Sequence, residues 1–281
     1  MAQLSRVMVV TGAASGIGRH LVSLLAEAGH RLVAADLDRV RLREQARAAA
    51  WPESRVLLHA FDVRDAAAWP AVIDLAFQTW RRLDVLLNVA GVLRPSNALT
   101  APESDVDLHL DVNAKGVIHG TRAAAARMVA QGHGHIVNMA SLAALAPVPG
   151  LSLYVASKFA VRGFSLSVAH ELRPLGVDVS VVCPDAVWTP MLEPLVTSPE
   201  AALAFSGSRV LTVEEVGRVI AERVLRRRPL EVILPRSRGL IARAASLWPG
   251  LGLRLAPLLL RRGQARQTAL RVEKELGKEK P

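Results

Sequence analysis

Tyrosine and cysteine each occur once in this chain, at Tyr154 and Cys183. A single thiol excludes an internal disulfide and fits a reducing compartment. No stretch reaches the roughly 18 uncharged apolar residues of a membrane-crossing helix. The opening "MAQLSRVMVVTG" has one arginine and a short apolar run but no small-residue cleavage site, so no signal peptide is expected. These absences predict a cytoplasmic protein. No metal site is expected, no short repeat or low-complexity tract stands out, and no linker rich in Pro, Gly or Ser comes before about Pro235.

Of 281 residues, 51% are apolar, enough for a large core. The net charge of +10 is unevenly spread. From Arg236 onward there are eight Arg and three Lys against three Glu, a balance of +8, so the preceding residues carry only +2. The division expected is a nearly neutral domain over 1–235 and a basic amphipathic extension over 236–281.

Short β-branched runs alternate with helical patterns. They are Arg6–Val10, Arg31–Ala35, Arg55–Phe61, Asp84–Ala90, His135–Ser141, Asp178–Pro184 and Glu231–Pro235. Most are apolar almost throughout, as strands covered on both faces must be. Segments such as "GIGRHLVSLLAEAG" lie between them. Strand–helix–strand repetition predicts an α/β fold with a doubly wound parallel sheet and right-handed crossovers.

After the first run comes "TGAASGIG", with Gly12, Ser15, Gly16, Ile17 and Gly18. Its glycines allow a tight turn at a helix N-terminus, where free N–H groups and the helix dipole favour a pyrophosphate. A glycine turn with no ligand is the plainer alternative, weakened by the strand before it and the helix after it. Asp36 closes the second run, 18 residues beyond Gly18. A carboxylate there accepts from ribose hydroxyls and repels a 2′-phosphate, favouring NAD over NADP. Asp36 could instead cap the next helix, although Asp38 is also placed to do so, and Arg19 or Arg39 would tolerate a phosphate.

Tyr154 and Lys158 are one helical turn apart and share a face. A nearby ammonium favours the phenolate, making tyrosine a base toward an alcohol and an acid toward a ketone. Ser141, 13 residues upstream at the end of an apolar run, could hold the substrate oxygen. Most such Tyr–Lys pairs are only a half-buried tyrosine and a solvated lysine. The combination with Ser141 and the glycine turn is more specific.

Together these residues resemble the classical short-chain dehydrogenases/reductases, from about Arg6 to Pro235. In that resemblance "FDVRD" sets Asp62 and Val63 at adenine, and Leu37 follows the ribose-binding Asp36. "NVAG" (Asn88, Val89, Ala90, Gly91) is similar to the family's NNAG. Asn113 in "LDVNAKG" matches the asparagine of a catalytic tetrad with Ser141, Tyr154 and Lys158. The resemblance implies that Ser141 polarises the substrate oxygen, that Tyr154 exchanges the proton, and that Lys158 lowers the tyrosine pKa and binds the nicotinamide ribose. Thr189 and the backbone of Val187 are implied to face the carboxamide. Val89 departs from the second Asn of NNAG. Asp185 departs from the glycine usual after Pro184, and its carboxylate either stabilises an oxidised nicotinamide or is a solvent-facing turn residue.

Leu142, Val148, Pro149, Trp188 and Met191 are expected around a lipophilic secondary alcohol or ketone, under a lid formed by the residues after Thr189. The expectation is an NAD-dependent oxidoreductase. An NADPH-linked ketone reductase and a catalytically vestigial dinucleotide-binding regulator are the alternatives. A homodimer or homotetramer pairing through the Tyr154 helix is implied by the family alone. In the extension, Leu240, Ile241, Ala244, Leu247 and Trp248 form one helical stripe. Pro249–Gly250 breaks the helix, and Leu251, Leu255, Leu258 and Leu259 form a second stripe. Arg-flanked apolar stripes suit peripheral contact with anionic lipid, or else packing on the enzyme or on another subunit. "RVEKELGKEKP" reads as a solvated tail. With one aromatic residue and no recognition module, the extension does not suit nucleic acid.

Overall fold

The computed structural model describes residues 5–275. Seven strands form one parallel sheet in the order β3-β2-β1-β4-β5-β6-β7. They are β1 (Val7–Thr11), β2 (Arg31–Asp36), β3 (Val56–Ala60), β4 (Val85–Asn88), β5 (Gly134–Met139), β6 (Val177–Pro184) and β7 (Glu231–Leu234). All seven apolar runs are therefore strands. β1, β4 and β5 are buried at every position, because helices cover both faces of the sheet.

The first crossovers use α1 (Gly16–Glu27), α2 (Arg39–Ala48) and α3 (Trp69–Trp80). Next come α4 (Glu103–Leu108), a π-helical turn at His109–Lys115, α5 (Gly116–Gln131) and α6 (Ser152–Leu172). α7 (Val213–Val219) and α8 (Leu225–Arg227) lead into β7. One face of the sheet packs Leu21, Leu25 and Val216 against β1 and β2, while the other packs Trp69, Ile73 and Met128 against β1 and β4. β1 pairs with β2 on one side and β4 on the other, so the strand order reverses there and leaves a crevice at their C-terminal ends.

The extension forms α9 (Arg236–Leu247) and α10 (Pro249–Glu275), with the break at the expected Pro249. It is not a detached tail. Gln267 Nε2 donates to the carbonyls of Leu195 and Ser198, both at 2.8 Å, and Arg271 Nε donates to Val196 O at 2.9 Å. A Cβ at Gly263 would lie 1.9 Å from Ala202 O, so glycine is what lets α10 lie directly on the 3₁₀ segment Pro199–Phe205. Leu270 joins Leu195 and Phe205 in a satellite core. The solvated-tail expectation is thus corrected for Arg271, while residues 276–281 lie outside the described residues.

Candidate active site

Three glycines shape the turn between β1 and α1. Gly12 has φ +71°, and a Cβ there would sit 2.9 Å from Ala90 N. A Cβ on Gly18 would sit 2.1 Å from Gly12 O. Thr11 Oγ1 accepts from the amides of Val89 (3.0 Å) and Ala90 (3.1 Å), tying this turn to the end of β4. The Val89 departure is harmless to that tie, because a backbone amide makes it. α1 starts at Gly16 with no side-chain cap from Ser15 and no acidic residue in its first turn. Its N-terminal amides face a cavity of about 700 Å³ lined by Gly12, Ser15, Gly16, Ile17 and Gly18. An uncapped helix N-terminus opening into a cavity fits an anionic pyrophosphate.

Asp36 lies beside this turn, and both Asp36 and Leu37 line the cavity. Its Oδ2 accepts from Ala14 N at 2.8 Å and its Oδ1 from Asp38 N at 3.1 Å. The cap of α2 is Asp38, which accepts from Arg41 N at 3.0 Å, so Asp36 is not the capping residue. The arginines lining the cavity are Arg64 and Arg238. Both are already engaged by carboxylates, Arg64 by Asp62 at 2.6 Å and Arg238 by Asp185 at 2.9 Å. Neither is a free partner for a 2′-phosphate. Asp62 and Val63 also line the cavity, with the Asp62 carboxylate held below its ordinary pKa by the Arg64 hydrogen bonds.

At the other end Ser141, Tyr154 and Lys158 converge. Ser141 follows β5, and its Oγ accepts from Ala143 N at 3.2 Å. Its contact to Pro184 O is long, at 3.5 Å, which leaves the hydroxyl proton available for a substrate oxygen. Lys158 Nζ donates to Met139 O at 3.0 Å and lies 5.6 Å from the Tyr154 ring centroid. Burial pushes the phenol up to about 12, opposed by the Ser141 hydroxyl beside it, and pushes the lysine down to about 8. In the protein alone, desolvation is the largest influence on both groups. Tyr154 is half-buried, whereas Lys158 is buried and keeps only a small part of its surface on the cavity.

Ala90, Gly91, Val187 and Thr189 line the cavity, but Asn88 and Asn113 do not. Asn88 is buried and donates to Asn138 Oδ1 at 2.9 Å, tying β4 to β5. Asn113, in the π-helical turn, accepts from Val92 N at 2.8 Å and donates to Val92 O at 2.9 Å and Ser157 Oγ at 3.0 Å. It reaches the site from behind, since a Cβ on Gly91 would touch both Asn113 Oδ1 (3.1 Å) and Lys158 Nζ (3.6 Å).

Leu142, Val148, Pro149 and Met191 line the cavity with apolar wall, joined by Leu192 and Leu195 from the segment after Thr189. Trp188 is a correction. It packs in the satellite core with Leu192 and Phe205 rather than against the cavity. The sequence reading missed two groups. His109 packs edge-on against Tyr154 at 6.4 Å, its Nε2 accepting from Arg94 N and its Nδ1 donating to Asp105 O. Arg238 of α9 pairs with Asp185 and donates to Ser206 Oγ at 3.2 Å. The Asp185 carboxylate is thereby neutralised, so it neither faces solvent nor offers a bare negative charge. A buried basic residue facing an unusual acid is the only signal that could have revealed this pair.

The sequence profile of the short chain dehydrogenase family matches residues 6–200. Over 205 residues the chain is 34% identical to a 3-oxoacyl-[acyl-carrier-protein] reductase of Thermotoga maritima, covering 73% of this chain and 82% of that protein. Over 202 residues it is 37% identical to 2-(R)-hydroxypropyl-CoM dehydrogenase of Xanthobacter autotrophicus, covering 70% and 80%. A short chain dehydrogenase/reductase from Burkholderia phymatum, solved in complex with NAD, superposes with a TM-score of 0.76 at 28% identity, covering 85% of this chain and 92% of that one. Levodione reductase superposes with the same TM-score at 25% identity, covering 85% and 99%.

Proposed function

This chain belongs to the short-chain dehydrogenase/reductase family and is an oxidoreductase, and from that premise we propose that it moves a hydride between a lipophilic secondary alcohol or its ketone and NAD. The observation that carries the reading is the single continuous cavity. Asp36 and the glycine turn lie at one end, Ser141, Tyr154 and Lys158 at the other, and apolar wall extends beyond them.

Bound dinucleotide would supply the carbon that accepts or gives the hydride. The α1 amides would hold its pyrophosphate, Asp36 its adenosine ribose, Asp62 and Val63 its adenine, and Val187 and Thr189 its carboxamide. Ser141 donates its hydroxyl proton as a hydrogen bond to the substrate oxygen, steadying charge that develops there. Tyr154 Oη gives that oxygen a proton when a ketone is reduced and takes it when an alcohol is oxidised. Lys158 places positive charge beside the phenol and can reach a ribose hydroxyl. Asn113 holds the backbone at Val92 and buttresses α6 through Ser157. NAD is preferred to NADP in this reading because the acidic Asp36 lacks a free lining arginine beside it.

The intact Ser–Tyr–Lys set argues against a regulator without chemistry. A homodimer or homotetramer accompanies the reading, with α6 leaving Phe159 exposed and Gly163 facing open space for a second copy. The test is turnover of NAD⁺ with lipophilic secondary alcohols, and of NADH with their ketones, alongside Tyr154→Phe. Loss of a positioned acid/base should lower kcat at least about 10²-fold with NAD binding nearly kept. Full activity in Tyr154→Phe, or no turnover across the panel, refutes the reading.

A further inference from the structure

The cavity continues past Tyr154 to the extension, where Ala244 and Ala245 of α9 and Gly252, Ala256 and Leu259 of α10 complete its wall. Three further wall residues are also exposed to the outside: Ile241 (57%), Leu253 (72%) and Leu255 (48%). They therefore form the rim of the cavity. Beside them, and not lining it, stand Leu240 and Leu247 (73%) on α9, Trp248 just after it, and Leu258 on α10. Both stripes expected from the sequence fall on helices, with Ala244 and Leu259 half-buried and the other described members exposed; the Leu251 side chain lies outside the described residues. An apolar surface around a cavity mouth, unmatched by any core, needs an apolar neighbour.

Charge says which neighbour. Among the described residues Arg236, Arg254, Arg261 and Arg262 are exposed and pair with no carboxylate. At 100° per residue, Arg254 and Arg262 flank Leu258 on the outward side of α10. Arg236 borders the α9 stripe beside Leu240 and Leu247. A protein partner built like this face would bring its own arginines against these, whereas an anionic lipid surface accepts the leucines and the arginines together. No described helix is long and apolar enough to cross a membrane. The contact would lie in the interface.

We propose that this face of α9 and α10 docks on an anionic lipid bilayer, and that the cavity opens onto it, so that lipophilic substrate reaches Tyr154 from the membrane rather than from water. The second half rests on the proposed function; the docking itself does not. Substrate partitioned into lipid would meet the rim formed by Ile241, Leu253 and Leu255 without crossing water. The dinucleotide end, at Gly12 and Asp36, is formed by the other end of the cavity.

The experiment uses the full chain with mixed phosphatidylcholine–phosphatidylglycerol vesicles, pure phosphatidylcholine vesicles, and the variant Leu240→Ser/Leu247→Ser/Trp248→Ser. These three side chains are exposed and line nothing, so folding and NAD⁺ turnover of the soluble alcohol cyclohexanol should be unchanged. Cosedimentation with the anionic vesicles is expected for the natural chain. It should weaken at least about tenfold in the variant, because one large apolar side chain left in water alone approaches that factor. Turnover of a long-chain secondary alkanol dissolved in the vesicles should fall with it. Failure of the natural chain to sediment overturns docking. A dimer in the natural chain that the variant dissociates shows a subunit interface instead and also overturns it. Retained turnover of the vesicle-borne alkanol overturns the route. If no alcohol is turned over, the proposed function and the route fail together while sedimentation still decides docking.

Discussion

Replacing Arg238 by Met should loosen the hold of α9 on the Asp185 turn at the cavity wall, and the structure bounds how much. Arg238 Nε donates to Asp185 Oδ2 at 2.9 Å and Nη2 to Ser206 Oγ at 3.2 Å. Breaking a fully buried pair costs about 3–5 kcal/mol, because the surviving charge is stranded. An exposed pair is worth about 0–1 kcal/mol. With the two side chains 19% and 11% exposed, this pair falls between, at about 2 kcal/mol. For a chain of this size that is a drop of roughly 3–4 °C in Tm. Asp185→Gly restores the turn's usual residue and strands only Arg238, whose long stem can swing outward, so it should cost less. In the double variant nothing is stranded, and the cycle should return a coupling of about 1–2 kcal/mol. Denaturant unfolding of the four proteins measures this, and KM for a bulky ketone should rise in Arg238→Met while kcat changes little. Unchanged midpoints with coupling under about 0.5 kcal/mol would refute the reasoning, leaving the ion pair without a holding role.

Three other outcomes are expected. Asp36→Ala with Leu37→Arg removes the repelling carboxylate and supplies a phosphate partner, so the ratio of NADP to NAD turnover should rise; a natural chain that already binds NADPH more tightly than NADH shows Asp36 to be misread. His135 is buried between β5 and β6, with Nε2 bonded to Ser180 Oγ at 2.9 Å, and burial lowers its pKa from 6.5 to about 3. The unfolded chain takes up a proton that the folded chain refuses, so stability is lost as pH falls from 6.5 toward 3, by about 2 kcal/mol at pH 5. His135→Gln should flatten that slope in urea titrations, and an unchanged slope counts against the assignment. Finally, Lys158 loses its charge as pH rises through about 8, so ketone reduction should decline across that range, well before Tyr154 ionises; a rate still climbing at pH 9 to 10 would exclude it.

Much of the fold was legible because its physics is local. Near-continuous apolar runs suit strands covered on both faces; all seven runs are strands, and β1, β4 and β5 are buried throughout while the edge strand β3 alternates with exposed positions. The glycine turn was legible because Gly12 and Gly18 sit where any Cβ would collide with backbone. What escaped were contacts made across the chain. Nothing in "LDVNAKG" shows that Asn113 turns away from the cavity to bond Val92 and Ser157, or that the backbone there winds into a π-helix. Arg238 and Asp185 are 53 residues apart, and only β7 pairing with β6 brings α9 over the turn that carries Asp185. Trp188 was misplaced for the same reason, since a single indole can face cavity or core and Leu192 and Phe205 decide which.

The tyrosine–lysine pair carries a further consequence. A shared helix face predicts attraction between phenolate and ammonium, and attraction alone would bring the tyrosine pKa down. Yet Tyr154 is pushed up to about 12 and Lys158 down to about 8, because burial penalises the charged form of each. At pH 7 the chain alone therefore holds a neutral phenol beside a lysine that is still largely charged. That is the state a proton donor to a ketone needs. For alcohol oxidation the phenol must first lose its proton, and raising the pH removes the lysine charge before it removes that proton. A cationic nicotinamide bound beside Tyr154 would favour the phenolate and so ease that loss.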